Sequence, residues 1–256
     1  GMRPQVVSRG YGGDAPTAPH RVDPATDDAA DVGDEPLMIA SSAPVWITAD
    51  RPAAAEAARG TGADALVLDD GFQDPSLKKS LSLVVADGRH GFGNGFMIPA
   101  GPLRETVRAG LARADALVIM GDDAWGLADA VRRFGPPGLP VLTARVRPGP
   151  EVAEIAKDLC LAFAGIGHPD KFFQTLMDHG CRLAGHRAFP DHHPYSRADL
   201  DALRRRAEAL KARLVTTEKD VQRIPREARG DIEVLTITLE WDDEAALDRL
   251  LQSPFS

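Results

Sequence analysis

The alternation of short apolar strands with longer helical segments is the feature that most constrains the fold of this chain. Apolar runs such as residues 65–68, 116–120 and 214–217 are separated by helical stretches such as the alanine-rich residues 51–59. Strands that are apolar along their whole length are typical of parallel sheets that helices cover on both faces. The pattern therefore predicts an α/β fold with a mostly parallel sheet.

The same criteria place the other elements along the chain. Strands are predicted at residues 44–48, 65–68, 81–86, 116–120, 141–146, 159–166, 214–217 and 232–238. Helices are predicted at residues 51–59, 103–113, 124–134, 169–179, 197–211 and 244–251. The sequence Gly33-Asp34-Glu35-Pro36 also predicts a helix start, because an acidic residue and a proline favour a first turn. We expect a core α/β domain over residues 1–146 and a second α/β part over residues 147–256.

Composition limits the classes of protein to which this chain can belong. The 256 residues are 43% apolar and 27% charged, which is typical of soluble globular proteins. A net charge of −8 argues against a general nucleic-acid binder, which would carry a basic patch. No apolar run approaches the roughly 20 residues of a membrane span, and no leader sequence is visible. We therefore expect a cytoplasmic protein without a nucleic-acid partner.

An acidic pair, Asp69 and Asp70, directly follows the apolar run at residues 65–68 and precedes Gly71. In parallel α/β sheets ligands bind beyond the carboxyl ends of the strands, where paired carboxylates suit Mg²⁺ and its waters. This is the arrangement of a Walker B element in nucleotide-hydrolysing folds. A simple turn is the alternative, since Asp-Gly after a strand is a common stop signal.

Residues 87–105 (DGRHGFGNGFMIPAGPLRE) form a glycine-rich segment whose glycines allow close approach of the backbone to a ligand. At its end, Arg104 is suited to hold a phosphate and Glu105 to reach a metal ion. A long structural loop with a helix cap is the alternative. Loops of this length inside a compact domain are usually functional, which favours the ligand-binding interpretation.

Residues 189–196 (FPDHHPYS) place Asp191 before two adjacent histidines, His192 and His193, on a turn bracketed by prolines. A histidine beside a carboxylate can orient or relay a proton near neutral pH. Metal binding is disfavoured, because two adjacent side chains rarely point at one ion. The alternative is that Ser196 caps a helix and the histidines lie on the surface.

The segment TTEKD at residues 216–220 is similar to the base-reading Thr/Asn-Lys-x-Asp loop of some P-loop GTPases. We assign its Thr217, Lys219 and Asp220 to nucleotide binding, although a capped helix start explains the same residues nearly as well. The phosphate-binding sequence GxxxxGK[ST] is not found, because no Gly-Lys dipeptide occurs in the 256 residues.

Seven motifs, taken in order, resemble the tetraacyldisaccharide 4′-kinase family, the lipid A 4′-kinases, and span nearly the whole chain. They are SRGYGG at 8–13, GDEP at 33–36, DDGFQ at 69–73, DGRHGFGNG with PAGPLRE up to 105, GIGHPDKFF at 165–173, FPDHHPYS at 189–196 and LVTTEKD at 214–220. The resemblance implies a P-loop-kinase-like α/β fold with a smaller second domain. It also implies ATP and Mg²⁺ as cofactors. The lipid substrate would be a tetraacylated disaccharide 1-phosphate, phosphorylated on its 4′-hydroxyl at the cytoplasmic face of the inner membrane.

The resemblance further implies roles for individual residues. Asp34 of the GDEP motif matches the base that draws the proton from the sugar hydroxyl, and His192 would hold and tune that carboxylate. His193 is the less expected partner. The other implied assignments are Asp69, Asp70 and Glu105 for the metal ion, Arg104 for the nucleotide, and Ser8 and Arg9 for the acceptor.

The sequence departs from the family at two places. In the family a strand, a P-loop, its helix and a membrane-docking segment, roughly 50–60 residues, precede SRGYGG, and we expect them to be missing here. Asp74 stands where a basic or amide residue is expected after DDGFQ. Without P-loop amides and lysine we expect weak ATP binding and little turnover. An unpaired sheet position would also favour a homodimer or a rearranged N-terminal region.

Two other functions stay open. A non-catalytic protein of the same descent could keep the acceptor pocket after losing the nucleotide site. An α/β-hydrolase-like protein using His192 or His193 is disfavoured, because no Gly-x-Ser-x-Gly elbow occurs in the sequence.

Overall fold

The computed structural model describes residues 1–10, 13 and 16–255, and it shows an α/β protein with largely parallel sheets, as the sequence predicts. Tyr11 and Gly12 of the SRGYGG motif lie outside the described residues. The chain forms two compact units. The first unit comprises Gly1–Gly71 with Pro148–Ile237, and the second comprises Phe72–Arg147 with Thr238–Ser256. The division into domains at residues 1–146 and 147–256 stays a prediction.

Strands and helices follow one another closely along the chain. The strands are β1 Pro4–Ser8, β2 His20–Arg21, β3 Val45–Ile47, β4 Ala65–Leu68, β5 Leu83–Asp87, β6 Ala116–Met120, β7 Val141–Pro148, β8 Leu159–Ala164, β9 Arg182–Ala188, β10 Arg213–Thr217, β11 Ile232–Leu235 and β12 Ile237–Trp241. The helices are α1 Ala29–Val32, α2 Asp34–Ala40, α3 Arg51–Gly60, α4 Val107–Leu111, α5 Leu127–Phe134, α6 Val152–Ile155, α7 Pro169–Asp178, α8 Arg197–Leu210, α9 Glu218–Gln222 and α10 Glu244–Gln252.

Three four-stranded sheets organise these elements. The first unit contains the orders β2-β3-β1-β4 and β11-β10-β8-β9, and the second contains β12-β7-β6-β5. β1 runs parallel to β3 and β4, β8 and β11 both run parallel to β10, β8 also runs parallel to β9, and β6 runs parallel to β5 and β7. β2 is antiparallel to β3. The parallel arrangement brings the carboxyl ends of neighbouring strands to one edge, where the residues of interest lie.

Two of the predicted strand and helix boundaries differ from the observed ones, because a side chain binds the backbone there. The strand predicted at residues 232–238 is two strands, because the Thr236 amide donates to the Glu151 carboxylate between them. The helix predicted from residue 103 begins at Val107, because the Thr106 hydroxyl caps it. β9 was not predicted from the sequence. It is an edge strand whose charged residues and glycine interrupt the apolar pattern.

The central strand β8 is buried on both faces, as expected for a parallel sheet covered by helices. Phe163 belongs to an apolar cluster with Leu203 of α8. Ala162, on the opposite face, belongs to another cluster with Phe173 and Leu176 of α7. Because successive side chains of a strand point to opposite faces, α7 and α8 cover this sheet from its two sides. None of the described helices is both long and apolar enough to cross a bilayer.

Substitution in α7 tests this packing. Leu176 is fully buried and its neighbour Met177 is 48% exposed. We expect Leu176→Ala to lower the free energy of unfolding by about 2–5 kcal/mol, since it leaves a cavity against β8. Met177→Ala is the matched control and should change it by less than about 0.5 kcal/mol. Urea denaturation measures both, and equal effects would contradict the described orientation of α7.

Candidate functional site

Asp34, the first residue of α2, lies at the centre of the site with its side chain 2% exposed. Its Oδ1 accepts the backbone N–H of Glu35 at 2.9 Å. Its Oδ2 lies 3.0 Å from Nδ1 of His192 and 3.5 Å from a terminal nitrogen of Arg223. A buried carboxylate is costly unless donors surround it. These three contacts compensate the charge of Asp34.

His192 is the solvent-facing member of this pair, because its side chain is 29% exposed. Its φ of 56° lies in the left-handed region, which residues other than glycine rarely adopt. The N–H of His192 donates to the carbonyl oxygen of Gly165 at 3.0 Å. A Cβ on Gly165 would lie 2.9 Å from the carbonyl oxygen of Pro190, so only glycine allows the loop at residues 189–196, called the histidine loop, to pass this close. The strained conformation is therefore fixed by contact with the end of β8.

The two adjacent histidines of the FPDHHPYS motif have different partners. His192 faces Asp34, which lies 158 residues earlier in the chain. His193 lies with Nε2 3.2 Å from the Asp199 carboxylate and its ring stacked on Phe189. The Asp34–His192 pair that the sequence proposed is thus brought into contact, and His193 belongs to the start of α8. The catalytic roles of the pair stay predictions.

The carboxylate of Asp220 is a second one close to the Asp34–His192 pair, and it is fully buried. It accepts hydrogen bonds from the Gly165 amide at 2.8 Å, the Tyr195 hydroxyl at 2.7 Å and the Thr217 hydroxyl at 2.6 Å. Arg223 also donates to it. Burial, together with the adjacent carboxylate, raises the pKa of Tyr195 above its usual range, so its hydroxyl stays protonated and donates.

Sequence reasoning missed Arg223 and Tyr195, although both contact the site. The available signal was the three-residue spacing between Asp220 and Arg223, which brings side chains together at a helix. The residues assigned to nucleotide binding have partners within the chain as well. The ammonium group of Lys219 lies 2.9 Å from the Glu35 carboxylate, and the Thr217 hydroxyl caps α9. Their nucleotide-binding role stays a prediction.

The acidic pair Asp69–Asp70 follows β4, and the adjacent strand β1 ends at Ser8. The hydroxyl of Ser8 donates to Oδ2 of Asp69 at 2.8 Å. The guanidinium of Arg51, at the start of α3, donates to the carbonyl oxygens of Asp69 at 2.6 Å and of Asp70 at 3.2 Å. Asp70 has a φ of 46°. Arg51 therefore fixes the backbone of a turn whose side chains are oxygen ligands.

This set of oxygen ligands fits a magnesium site. Among the residues that the structure describes, no group of three or more His, Cys, Asp or Glu side chains comes together as a metal centre. Mg²⁺ does not need such a group, since it keeps several waters and is held by one or two carboxylates plus substrate phosphates. Asp69 and Asp70 provide two adjacent carboxylates, with the Ser8 hydroxyl beside them. Ser8 is buried, and Arg9 after it is exposed.

Arg104 and Glu105 lie in the second unit, just before α4. Glu105 accepts a hydrogen bond from the amide of Gln73 at 3.1 Å and pairs with Arg113. Arg104 is exposed. The charge of Glu105 is thus already compensated within its own unit, and the metal and nucleotide roles of these two residues stay predictions.

The fold and the site define an α/β protein in which a buried carboxylate and a partly exposed histidine form a pair suited to proton transfer. The sequence matches the family described as Tetraacyldisaccharide-1-P 4′-kinase over residues 1–256. The chain belongs to the tetraacyldisaccharide-1-P 4′-kinase family.

Individual relatives agree with this assignment. The tetraacyldisaccharide 4′-kinase of Rhodospirillum centenum is 51% identical over 252 residues, which cover 98% of this chain and 73% of that protein. That of Paramagnetospirillum magneticum is 48% identical over 250 residues, covering 98% of this chain and 76% of that protein. The crystal structure of an "apo" form of LpxK from Aquifex aeolicus in complex with ATP has a TM-score of 0.72, covering 100% of this chain and 80% of that chain. At 22% identity, this likeness establishes the fold alone.

The cap of α8 gives a pH-dependent test of the histidine loop. A hydrogen bond from the Ser196 side chain, and then one from His193, lower the pKa of Asp199. The stabilising effect of the Asp199 carboxylate is therefore complete above its unfolded pKa of about 3.9, and it is lost as the pH falls through its lower folded pKa. We expect Asp199→Ala to cost about 1 kcal/mol at pH 7.

The difference from wild type should shrink below about pH 3, because the carboxyl group is then being protonated in both states. Asp201→Ala, on the same helix, is the control and should cost less than about 0.5 kcal/mol at either pH. Urea denaturation at the two pH values measures both variants. A loss for Asp199→Ala that is the same at both pH values would contradict a charged cap.

Proposed function

We propose that this protein transfers the γ-phosphoryl group of ATP to the 4′-hydroxyl of a tetraacylated disaccharide 1-phosphate, and that Asp34 and His192 accept the proton of that hydroxyl. The observation that carries the proposal is the 3.0 Å contact between these two side chains, one buried and one open to solvent. Membership of the 4′-kinase family supports the choice of substrate.

The pair can take up a proton because of how its charges are arranged. With Nδ1 protonated, His192 donates to Oδ2 of Asp34 and keeps Nε2, which lies 3.9 Å from the Asp191 carboxylate, as a proton acceptor. As the hydroxyl oxygen bonds to the γ-phosphorus of ATP, the bond from that phosphorus to the bridging oxygen of ADP breaks and ADP leaves. The proton of the hydroxyl passes to the pair, which thereby loses its net negative charge. Asp34 holds the ring in orientation and stabilises its charged form, and Gly165 holds the loop on which the ring lies.

The acidic pair after β4 supplies the metal ligands of the proposed reaction. Asp69 and Asp70 would hold Mg²⁺, with the Ser8 hydroxyl fixing the Asp69 side chain. When bound, Mg²⁺ neutralises charge on the phosphates of ATP. Roles for Glu105 at the metal, Arg104 at the γ-phosphate and Arg9 at the acceptor are supported by the motif resemblance.

The 256 residues contain no Gly-Lys dipeptide, so they contain no GxxxxGK[ST] loop. Phosphoryl transfer depends on positioning the phosphates and neutralising their charge, which such a loop does. We therefore expect this chain by itself to bind ATP weakly and to turn over slowly. The second candidate function, a non-catalytic protein that binds the acylated disaccharide, stays a prediction.

The substrate determines where the protein would act. An acylated disaccharide phosphate resides in a membrane, so the proposed location is the cytoplasmic face of the inner membrane, with the protein bound peripherally. We also expect the protein to form a homodimer, and a measurement of its mass in solution tests this.

Calorimetry with Mg²⁺ and ATP tests the nucleotide part of the proposal. We expect this chain to show no binding at micromolar ATP, and a version extended by any upstream in-frame GxxxxGK[ST] segment to bind. Asp69→Asn with Asp70→Asn in the extended version should weaken binding only when Mg²⁺ is present, because the lost carboxylates act through the metal. Micromolar binding by the 256 residues alone would mean that another element holds the phosphates.

Kinetics of the pair test the proton transfer. In a version that turns over, Asp34→Asn and His192→Gln should each lower kcat by about 10²- to 10⁴-fold and leave KM for ATP nearly unchanged. His193→Gln, one position further along, is the control and should keep most of the activity. Full kcat in Asp34→Asn would exclude the pair as proton acceptor. Binding of the disaccharide without turnover in every version would support the non-catalytic alternative.

A further inference from the structure

Arg223, which follows the last residue of α9, is a buried cation in contact with the candidate site. Its side chain is 6% exposed. One terminal nitrogen donates to Asp220, and the other lies 3.5 Å from Oδ2 of Asp34. Within the described part of the chain, Nε and the nitrogen that faces Asp34 have no hydrogen-bond partner. The guanidinium also lies 5.8 Å from the centre of the Tyr195 ring.

This arrangement is expensive if Arg223 serves only to stabilise the fold. Buried N–H groups without a partner cost free energy, and a buried ion pair often contributes less than well-packed apolar side chains would. Arg223 nevertheless lies between two buried carboxylates that would otherwise repel each other, Asp34 and Asp220. It therefore places a positive charge against Asp34, the residue that faces His192.

We propose that Arg223 is the positioning residue of the Asp34–His192 pair: it offsets the charge of the Asp34 carboxylate and keeps it aimed at His192, while Asp220 fixes the guanidinium. The inference rests on the proposed function, in which this pair accepts a proton. A carboxylate at 2% exposure is costly to bury unless an opposite charge lies nearby, and Arg223 supplies that charge. The contact at 3.5 Å lacks hydrogen-bond geometry, so it supplies charge and leaves Oδ2 to the Nδ1–H of His192.

Asp220 then has a defined part in the site. Four donors within the chain surround its carboxylate, namely the groups of Gly165, Tyr195, Thr217 and Arg223. A carboxylate surrounded in this way anchors the groups that donate to it. Through it, the TTEKD segment holds both Arg223 and the loop that carries His192.

The protonation of His192 in the full chain reports on this arrangement without any need for turnover. Charged groups face the ring from three segments: Asp34 on α2, Asp191 on its own loop and Arg223 after α9, with Asp220 behind Arg223. Long-range ¹H–¹⁵N correlation spectra follow the ring nitrogens with pH, and His192→Gln identifies the signal among the seven histidines.

We expect Arg223→Gln to raise the pH at which the His192 ring is half protonated, because a cation beside Asp34 has been removed. Arg223→Lys keeps the charge and should leave that pH near the wild-type value. Arg229→Gln is the control, since Arg229 is a neighbouring arginine that donates to the backbone carbonyls of Ile224 and Gln222. An unchanged His192 titration in a folded Arg223→Gln protein would overturn the inference.

A second measurement covers the case in which Arg223→Gln does not fold. In the wild-type chain, the guanidinium signals of Arg223 report on its two carboxylate neighbours. Asp34→Asn should shift the signal of the terminal nitrogen that faces Asp34 more than that of the nitrogen bound to Asp220, and Asp191→Asn, which alters the other carboxylate near His192, should shift neither. Unchanged Arg223 signals in Asp34→Asn would show that the guanidinium does not sense Asp34, and the inference would fail.

Kinetics separate failure of this inference from failure of the proposed function. In a version that turns over, Arg223→Gln should lower kcat about 10- to 100-fold with KM for ATP unchanged, and Arg223→Lys should restore most of it. In an Asp34→Asn background the same substitution should have no further effect, because it acts through Asp34. Full kcat in Asp34→Asn would refute the proposed function, whereas an undiminished Arg223→Gln effect in that background would refute the positioning role.

Discussion

The burial of the Asp34 carboxylate is the constraint on which the rest of the site depends. A charge taken out of water must be matched by donors, and three separate segments supply them here. The amide of Glu35 comes from α2 itself, the ring of His192 from the loop before α8, and the guanidinium of Arg223 from the end of α9. The first unit therefore has to fold before the site exists, because residues nearly 160 positions apart must meet around one carboxylate.

A second carboxylate, Asp220, makes this meeting rigid. It binds the amide at the end of β8 and the hydroxyl of Tyr195, so it ties a central strand to the histidine loop. That loop includes His192 at a φ of 56°, a conformation that persists only where surrounding contacts determine it. The close passage over Gly165 adds to the same constraint, since no side chain fits there. The packing around the histidine loop therefore fixes the orientation of His192.

The fold was largely predictable from the sequence, and the site only in part. The apolar runs at Ala65–Leu68 and Ala116–Met120 coincide with β4 and β6, because parallel strands that are apolar along their whole length have no polar alternation to obscure them. The edge strand β9 lacks that signal. Asp34 and His192 were found through motifs, but Arg223 belongs to none, and its role arises only when α9 packs on α2. A single side chain can also have two structural roles. The Thr217 hydroxyl caps α9 and also donates to the carboxylate of Asp220.

The two buried arginines of the first unit show how one side chain can serve two different chemistries. Arg51 donates to the main-chain oxygens of Asp69 and Asp70, and these bonds fix the turn. Arg223 instead faces the carboxylate of Asp34 and compensates its charge. One arginine therefore fixes main-chain oxygens at the end of β4, and the other offsets a buried carboxylate at the start of α2. The contrast is consistent with the separate roles proposed for these two places, metal binding at the end of β4 and proton acceptance at α2.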